Sequence, residues 1–583
     1  MKTIYTLPSP NQQESLSHFP VYIINFSQNV THDPGYIRIR DYSERNKTKF
    51  QQCLQSTDWA QVLNSNDATD AFNVFHKTFV DLYMSCFPMK TFKSGYRNKL
   101  VWLTSGMKKS IKHKQYLFYK MRRHPSCENI TNYKGFRNKL NYLLRKEERN
   151  YYETQLNRNK YNLKKTWSIL KDVINKKRPT DVSKTFNINN KTVSNKSDIA
   201  SAFNKYFVGI GPSLSQKIPV SDSSPSSYIH NHNVNSIFLK PVLENEVKSL
   251  IKNLKSSSPG WDNISADIIK TMFQRFLTPL THILNLSIIQ GTFPDSMKIA
   301  KVIPLFKSGD KMKINNYRPI SVLPVFSKLL ERIMYNRILE FIENYDILYE
   351  HQFGFRIKHS TSLALSVLVE KITSAFNEQN YMIGVFLDFS KAFDTVDHTI
   401  LLRKLELYGI RGLALKWIES YLTDRFQFVC FDQVDSSYEK VVCGVPQGSI
   451  LGPLLFLLYI NDLADVSNIL FPILFADDSN MFCTGKNLND ICNTMNQELS
   501  RVVEWLNVNK LSLNIDKSHF MVFSNKKYTF EPIITVNNTP IDRIYETKFL
   551  GVIIDSKLTW KAHINYIKSK VAKGIGILCK ARK

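Results

Sequence analysis

The segment that most constrains the fold is Phe475-Ala476-Asp477-Asp478, which lies between two short apolar runs. The runs are Phe471-Pro-Ile-Leu and Asn480-Met-Phe. Both are strand-like and very little chain separates them, so the segment predicts a hairpin with two adjacent carboxylates at its turn. Such a pair, flanked by apolar residues, is costly unless a cation neutralises it. The alternative is a solvated turn, which is the more common role of an Asp-Asp pair.

A third carboxylate is expected at the same place. Asp388 ends the apolar run Tyr381-Met-Ile-Gly-Val-Phe-Leu, which predicts another buried strand. A carboxylate at the end of a strand is both accessible and rigidly held. Mg²⁺ prefers oxygen ligands of this kind and shares them with substrate phosphates. Three aspartates delivered to one place would therefore suit two-metal phosphoryl or nucleotidyl transfer.

The charge of the chain is strongly positive and unevenly distributed. The 583 residues carry a net charge of +28. Between Lys90 and Arg178 there are 25 lysines and arginines but only 5 acidic residues, a local net charge of +20. Tyrosines and tryptophans are interleaved with these basic residues, and such side chains can neutralise phosphates and stack on bases. The segment predicts nucleic-acid binding, with a solvated helical face around its own aromatic core as the alternative.

Length and cysteine usage set further limits. A chain of 583 residues is too long for one ordinary core. The eight cysteines are scattered without a Cys-x-x-Cys pair, which favours reduced thiols in an intracellular protein. The first residues lack the apolar stretch of a signal peptide, and no apolar run reaches membrane-spanning length. We therefore expect a protein of the nucleus or cytoplasm that is neither secreted nor inserted in a membrane.

The pattern along the chain changes twice. From about Ile37 to Arg178 it is typical of helices. The turn-rich stretch Val220-Ser-Asp-Ser-Ser-Pro-Ser-Ser predicts a linker. After Leu239 helical segments alternate with strand-like runs, among them Lys301–Phe306 and Phe428–Phe431, which predicts a mixed α/β unit.

The residues that follow Asp388 predict the start of a helix. Asp394 and Asp397 are three positions apart and would share a helical face, although helix capping or surface pairing explains them equally well. His398 is expected to be a structural hydrogen-bonding residue. Farther on, Gly444-Val-Pro-Gln447-Gly448-Ser-Ile-Leu-Gly-Pro predicts a turn before an apolar helix. Its small residues would let the backbone approach a nucleic-acid strand, and Gln447 could hydrogen-bond a base, sugar or phosphate.

The residues of these segments and the order in which they occur resemble the reverse transcriptase of non-LTR retrotransposons, jockey-like elements in particular. Nine segments carry the resemblance: Ser257-Ser-Pro-Gly260-Trp-Asp262, Val302-Ile-Pro-Leu-Phe-Lys307-Ser-Gly309-Asp, Asn316-Tyr-Arg318-Pro-Ile-Ser321, Gln352-Phe-Gly-Phe-Arg356, the Asp388 block, Gly444–Pro453, Phe475–Asp478, Leu511-Ser-Leu-Asn514-Ile-Asp-Lys517-Ser and Lys548-Phe-Leu-Gly551-Val. Each is weak by itself, but nine in the expected order are specific.

The resemblance implies an α+β right-hand polymerase fold with a basic helical region before it. The expected organisation is a remnant of an endonuclease-like domain over 1–35, a basic helical region that binds nucleic acid over 36–180, a linker over 181–238, fingers and palm over 239–555 and the start of a thumb over 556–583.

The resemblance also implies roles for individual residues. Asp388, Asp477 and Asp478 resemble the catalytic carboxylates, with the backbone carbonyl of Phe389 as a further metal ligand. They would hold two Mg²⁺ ions, for which Mn²⁺ could substitute. Of the three, Asp478 is the one expected to bind metal less directly.

Five more residues resemble parts of the nucleotide site. Lys307 and Arg318 correspond to residues that hold the incoming triphosphate, for which the planar fork of arginine is suited. Lys517 corresponds to a general acid toward the pyrophosphate. Phe393 occupies the position of a steric gate against the ribose 2′-hydroxyl. Gln447, followed by Gly448, corresponds to a glutamine that packs near the incoming nucleotide.

The implied reaction is RNA-directed DNA synthesis with an RNA template, a DNA primer or target, and dNTPs. Leu16-Ser17-His18-Phe19-Pro20-Val21 resembles the last strand of an endonuclease-like domain, but Ser17 replaces an aspartate. The upstream acidic and histidine motifs of such a domain do not occur in this sequence, so we expect no endonuclease activity. No segment resembles an RNase H domain, so we expect no RNase H activity either. The alternatives are an inactive nucleic-acid-binding relic of a mobile element and, less favoured, an intron maturase-like protein.

Overall fold

The structure is a computed structural model that describes residues 36–93, 102–174, 185–188, 190–219, 223–230 and 232–582. The predicted endonuclease-like remnant, 1–35, lies outside the described residues, as does the start of the turn-rich stretch at 220–222. The chain divides into two compact units. One comprises Met1–Tyr42 and Pro88–Tyr151, and the other Ser43–Phe87 and Tyr152–Lys583.

The described residues form both helices and strands throughout. The helices are α1 Glu44–Ser56, α2 Ala60–Leu63, α3 Ala68–Cys86, α4 Ser105–Arg123, α5 Cys127–Arg158, α6 Leu163–Ile174, α7 Lys196–Ser215, α8 Glu244–Lys252, α9 Ala266–Met272, α10 Leu277–Gln290, α11 Val325–Asn344, α12 Thr361–Asn377, α13 His398–Leu407, α14 Leu413–Leu422, α15 Gly452–Tyr459, α16 Leu488–Val508 and α17 Lys561–Arg582. The strands are β1 Tyr36–Arg40, β2 Met89–Lys93, β3 Phe186–Ile188, β4 Lys191–Val193, β5 Ala300–Phe306, β6 Tyr317–Val322, β7 Tyr381–Asp388, β8 Arg425–Phe431, β9 Val434–Asp435, β10 Glu439–Val441, β11 Phe471–Phe475, β12 Asp478–Gly485, β13 His519–Phe523, β14 Thr535–Val536, β15 Thr539–Pro540, β16 Asp542–Arg543, β17 Glu546–Phe549 and β18 Val552–Asp555.

The smaller unit contains a two-stranded sheet, the long basic helix α4 and the long basic helix α5 as far as Tyr151. β1 and β2 pair antiparallel, so the prediction of helix from Ile37 onward is wrong at this point. The period-two alternation of Tyr36-Ile-Arg-Ile-Arg indicates a strand. The strand with which it pairs, β2, begins only at Met89. α4 and α5 contact each other through aromatic rings, including Phe118 on Tyr133, with ring centroids 5.5 Å apart.

The segment 43–87 belongs to the larger unit, although the sequence placed it in the basic helical region 36–180. The reason is the apolar face of α3. Its Phe75 and Phe79 are fully buried, with ring centroids 5.9 Å and 5.3 Å from that of Phe276. The aromatic spacing therefore identified a helix correctly but not the core into which it packs.

The described residues of the predicted linker, 181–238, include a helix that packs into a core. This helix is α7, whose Ile199, Phe203 and Phe207 lie at helical spacing and are buried. These residues form a small core with Val302 and Val429 of two strands of the second sheet defined below. The apolar periodicity of α7 explains why it packs rather than connecting two units.

The sheet that carries the aspartates, here called the central sheet, has the strand order β11-β12-β7-β13-β16. β7 is buried along most of its length, as its uninterrupted apolar run predicted. Its Ile383, Val385 and Leu387 belong to the large core that includes α16, whereas Met382 and Phe386 belong to the core that includes α12. A strand covered on both faces is held rigidly, which fixes the residue at its end.

A second sheet has the order β10-β8-β5-β6, with β9 paired to β8. β5 and β6 form an antiparallel hairpin in which Leu305 pairs with Arg318, and the backbone N–H of Lys307 donates to Asn316. The strand-like runs that include Lys301–Phe306 and Phe428–Phe431 are confirmed as strands. Among the described helices, none is long and apolar enough to cross a membrane.

Candidate active site

The three aspartates meet at one edge of the central sheet. Asp388, the last residue of β7, lies directly opposite Asp478, the first residue of β12. Directly opposed residues share a face of the sheet, with Cβ atoms about 4.5–5.5 Å apart. Asp477 precedes Asp478 in the turn that joins β11 to β12. The predicted hairpin is confirmed, and the third aspartate lies beside it.

Backbone contacts from the segment before β13 hold Asp388 in place. The N–H of Asn514 donates to the Asp388 carbonyl at 2.8 Å, and the Asp388 N–H donates to the Ser518 hydroxyl at 3.3 Å. The same segment brings Lys517 to the site, with its Nζ 3.8 Å from the Asp388 carboxylate. Phe389, next in sequence, is buried and bridges to Leu513.

Three predicted cations lie near the aspartates, and a fourth cation that was not predicted, Lys391, lies near these three. Lys307 and Arg318 lie on the β5–β6 hairpin, and Lys517 lies before β13. Lys391 follows β7 and its Nζ donates to the Tyr317 carbonyl at 3.5 Å. Burial lowers the pKa of Lys391, and the charges of Lys307, Arg318 and Lys517 lower it further, whereas Asp394 acts in the opposite direction.

The pKa shifts of the aspartates indicate carboxylate charges that the nearby cations compensate only in part. Burial raises the pKa of Asp477, and the Asp388 charge adds to this effect. The pKa of Asp478 is raised to about 6 by burial, then by the charges of Asp477 and Asp388. The positive charges of Lys307 and Arg318 oppose the shift at Asp477 without cancelling it.

The oxygen donors of the aspartates are of the kind that Mg²⁺ prefers, but their side chains do not converge on one point. Within the described ranges, no three His, Cys, Asp or Glu side chains converge closely enough to form a ready metal centre. The fit instead rests on the donors, which are hard carboxylate oxygens suited to Mg²⁺. It also rests on the raised pKa values of Asp477 and Asp478. These follow first from burial and then from the repulsion of neighbouring carboxylates, which a bound dication would relieve.

The Gly444–Pro453 loop is fixed against both the β6 strand and the region after β7. The Ser321 N–H donates to the Gln447 carbonyl at 2.8 Å, and the Gln447 amide Nε2 donates to Asp394 Oδ1 at 2.8 Å. Gly448 has φ +123°, and a Cβ there would lie 2.5 Å from the Ser321 carbonyl oxygen. Only glycine is tolerated in this conformation at such a close approach.

A buried carboxylate that the sequence did not reveal anchors the far end of this loop. Glu331 of α11 is fully buried and accepts the N–H of Ile450 at 2.7 Å and of Leu451 at 3.3 Å. Ser327 Oγ donates to the other carboxylate oxygen at 3.2 Å. Burial raises the pKa of Glu331, and the Arg425 charge opposes that shift. The bonds to Ile450 and Leu451 satisfy backbone N–H groups immediately before α15, which begins at Gly452.

Phe393 lies between the Asp388 block and the Gly444–Pro453 loop. Its ring stacks on Phe456 at 4.3 Å between centroids and meets the edge of Phe355 at 6.3 Å. The Phe393 backbone carbonyl also accepts the Val445 N–H at 2.9 Å. The ring is therefore held on two sides and remains partly exposed on the others.

The shared helical face predicted for Asp394 and Asp397 is wrong. Asp394 ends a short 3₁₀ turn, Ala392–Asp394, and Asp397 is the N-cap of α13, accepting the Ile400 N–H at 3.1 Å. The capping alternative was correct for Asp397. The structural role expected for His398 is confirmed, because its Nε2 lies 2.8 Å from the Gly444 carbonyl.

Comparison with known protein families identifies the segment that contains these residues. Residues 307–554 match the family described as reverse transcriptase (RNA-dependent DNA polymerase). This part of the chain is similar to reverse transcriptase domains. The match includes every site residue named above, from Lys307 to Lys517.

Relatives of the domain come from insect mobile elements. The chain is 32% identical over 338 residues to a probable RNA-directed DNA polymerase from transposon X-element of Drosophila melanogaster, covering 56% of this chain and 37% of that protein. It is 31% identical over 352 residues to the RNA-directed DNA polymerase from mobile element jockey of the same species, covering 58% and 38%. A probable RNA-directed DNA polymerase from transposon BS, also of that species, is 32% identical over 349 residues, covering 56% and 37%. The chain thus spans just over a third of the length of these relatives.

Proposed function

We propose that this chain is the RNA-directed DNA polymerase of a non-LTR retrotransposon and extends a primer 3′-hydroxyl with dNTPs. The observation that carries the proposal is the meeting of Asp388, Asp477 and Asp478 at one sheet edge, beside the cations of a second sheet, inside a segment similar to reverse transcriptase domains. Negative ligands for a metal and positive groups for a triphosphate are the two parts that nucleotidyl transfer needs.

The proposed architecture is a right-hand polymerase over 239–583. The central sheet is the palm, the β5–β6 hairpin belongs to the fingers, and α17 begins a thumb over 556–583. The basic helical region within 36–180 would bind the RNA template or target DNA. Its support is the exposure of Tyr116, Tyr119 and Tyr142 on α4 and α5 among lysines and arginines.

Asp388, Asp477 and Asp478 would hold Mg²⁺ together with the carbonyl of Phe389. When bound, the metal supplies acidity for the primer 3′-hydroxyl and charge stabilisation for the leaving pyrophosphate. The residues around it keep the carboxylates ready for this role: Asn514 and Ser518 fix the backbone at Asp388, and the β-ladder fixes Asp478 opposite it.

Lys307, Arg318 and Lys517 would act on the triphosphate. The β5–β6 hairpin holds Lys307 and Arg318 close enough to Asp477 that their charges oppose its pKa shift. A phosphate chain beside the aspartates would thus lie within reach of both cations. Lys517, beside Asp388, would protonate the departing pyrophosphate.

Phe393 would exclude the ribose 2′-hydroxyl and so select dNTPs. A steric gate requires a side chain of fixed position, and the stacking of Phe393 on Phe456 fixes the Phe393 ring. Gln447 and Gly448 would line the same nucleotide site. The support is the close approach that Gly448 allows and the bond that ties Gln447 to Asp394.

The test is primer extension by the purified protein on poly(rA)–oligo(dT) with dTTP and Mg²⁺. The wild type should extend the primer, Asp477→Asn should not, and Asp490→Asn, at an exposed position in α16, should behave as the wild type. If the wild type binds the primer–template without extending it, the chain is the inactive nucleic-acid-binding relic. Wild-type extension by Asp477→Asn would refute the metal assignment.

A further inference from the structure

The turn that carries Asp477 contains a residue in an unfavourable backbone conformation. Ala476 has φ +57°, in the region that favours glycine, and is almost fully buried. A non-glycine residue persists in such a conformation only where surrounding contacts determine it. Since Ala476 immediately precedes Asp477, whatever holds Ala476 also sets where the Asp477 carboxylate is presented.

One buried side chain holds the Ala476 peptide. Gln352 Oε1 accepts the N–H of Ala476 at 3.1 Å, and the same oxygen accepts the N–H of Gly354 at 2.9 Å. The Gln352 residue is only 2% exposed, so water does not compete for these bonds. The two bonded residues Gln352 and Ala476 are 124 positions apart in the chain.

The backbone around Gln352 lies against the same hairpin. The Phe353 N–H donates to the Leu474 carbonyl at 2.8 Å, and the Leu474 N–H donates to the His351 carbonyl at 3.0 Å. A Cβ on Gly354 would lie 2.3 Å from the backbone nitrogen of Ala476. The segment is therefore packed against the turn too closely for any side chain at position 354.

We propose that Gln352 is a positioning residue for catalysis, acting through the Ala476 peptide to fix the carboxylate of Asp477. It is not assigned any contact with substrate or metal. We call the two hydrogen bonds from Ala476 and Gly354 to Gln352 Oε1 the clamp. The inference rests on the proposed polymerase function, because positioning Asp477 matters only if Asp477 acts in catalysis. The clamp itself can be observed without catalysis.

The chemistry of Gln352 makes the proposal separable from ordinary core packing. Among the described residues its Nε2 has no hydrogen-bond partner, so only the acceptor oxygen is used. Gln352→Met keeps the length of the side chain and removes the acceptor. Gln352→Glu keeps an acceptor oxygen in the same place. Gln427 in β8, also buried, supplies a matched control as Gln427→Met, away from the turn.

Two measurements on the full chain test the clamp. The first is the single-turnover rate of dTTP addition on poly(rA)–oligo(dT), with the primer–template Kd measured in parallel. Gln352→Met should lower the rate on the order of 10²-fold, as expected for a small displacement of a reacting group, and leave Kd within about twofold. The rate of Gln352→Glu should be at least about tenfold higher than that of Gln352→Met. Gln427→Met should retain the wild-type rate.

The second measurement is amide hydrogen exchange of the peptide that covers 471–480. Exchange should be about tenfold faster in Gln352→Met, the effect of one lost hydrogen bond, and unchanged in Gln427→Met. If Gln352→Met does not fold, Gln352→Asn replaces it, because its shorter side chain cannot reach both N–H groups.

The outcomes separate this proposal from the proposed function. If the wild type does not extend primers, the polymerase assignment fails, and hydrogen exchange alone decides whether the clamp exists. Unchanged exchange in the variant that lacks the acceptor overturns the clamp. Faster exchange with an unchanged extension rate overturns its role in positioning Asp477.

Discussion

Asp394 provides a prediction whose size follows from the structure. Its carboxylate is largely enclosed, with Oδ1 bound by Gln447 and Oδ2 without a partner among the described residues. Burial raises its pKa from 3.8 to about 6, and the Gln447 bond and the charges of Lys391 and Arg318 oppose that shift only in part. Folding thus favours the neutral form of Asp394 up to about pH 6.

The sign of the pH dependence follows from proton binding. Between pH 4 and 6 the folded state keeps a proton on Asp394 that the unfolded state has lost, so stability falls as the pH rises through this interval. A pKa raised from 3.8 to about 6 corresponds to at most about 3 kcal/mol, lost completely above the folded pKa. Asp394→Asn removes the ionisation and keeps the oxygen that Gln447 binds.

The assay is urea unfolding followed by tryptophan fluorescence at pH 4 and pH 7.5. Asp394→Asn should unfold at a higher urea concentration than the wild type at pH 7.5, with a gain in unfolding free energy of up to about 3 kcal/mol, and the gain should vanish near pH 4. The exposed-site control Asp490→Asn should change the unfolding free energy by the same small amount at pH 4 and at pH 7.5. An Asp394→Asn variant that is less stable than the wild type at pH 7.5 would refute the reasoning.

Three further predictions concern the nucleotide and the template. Phe393→Ala should reduce the preference for dNTPs over rNTPs roughly 10–100-fold in competitive incorporation, because the proposed gate is removed; an unchanged ratio would contradict it. Arg318→Lys should raise KM for dNTPs about tenfold with less effect on kcat, because lysine cannot bind phosphate bidentately; an unchanged KM would exclude Arg318 from the triphosphate site. Replacing the exposed Lys108 and Lys112 of α4 by Gln should lower the slope of log affinity for RNA against log salt by up to about 1.4, and a slope that stays constant would favour a solvated helical face.

The sequence predicted those parts of the site that depend on short-range patterns. The apolar runs around Asp477 and before Asp388 predicted strands, because the length and composition of a buried strand are visible locally. The helix after the Gly444–Pro453 loop was predicted in the same way. The placement of Asp388 opposite Asp478 was expected only as proximity; the register comes from the ladder between β7 and β12.

Other parts depend on contacts between residues far apart in the chain. Gln352 reaches Ala476 across 124 positions, and Glu331 reaches Ile450 across 119. Gln352 belongs to one of the nine segments that carry the resemblance, but that segment does not indicate which residue it contacts, and no local pattern marks Glu331. The same reason explains the error over 43–87, because a phenylalanine stripe predicts a buried helix face without indicating its partner.

The shared helical face assigned to Asp394 and Asp397 was wrong for a different reason. Helical spacing was applied to residues that precede the helix, whereas α13 begins only at His398. Aspartate is a favoured N-cap residue, and that preference was the better guide at this position.

The central claim is that the aspartates perform the chemistry of nucleotide addition. The most direct test is single-turnover addition of one dNTP to a primer annealed to RNA by the wild type and by Asp388→Asn, with primer–template binding measured for both. Loss of several kcal/mol of metal-dependent stabilisation should slow addition by about 10³-fold or more, while binding stays within about twofold. Addition by Asp388→Asn at the wild-type rate would contradict the claim.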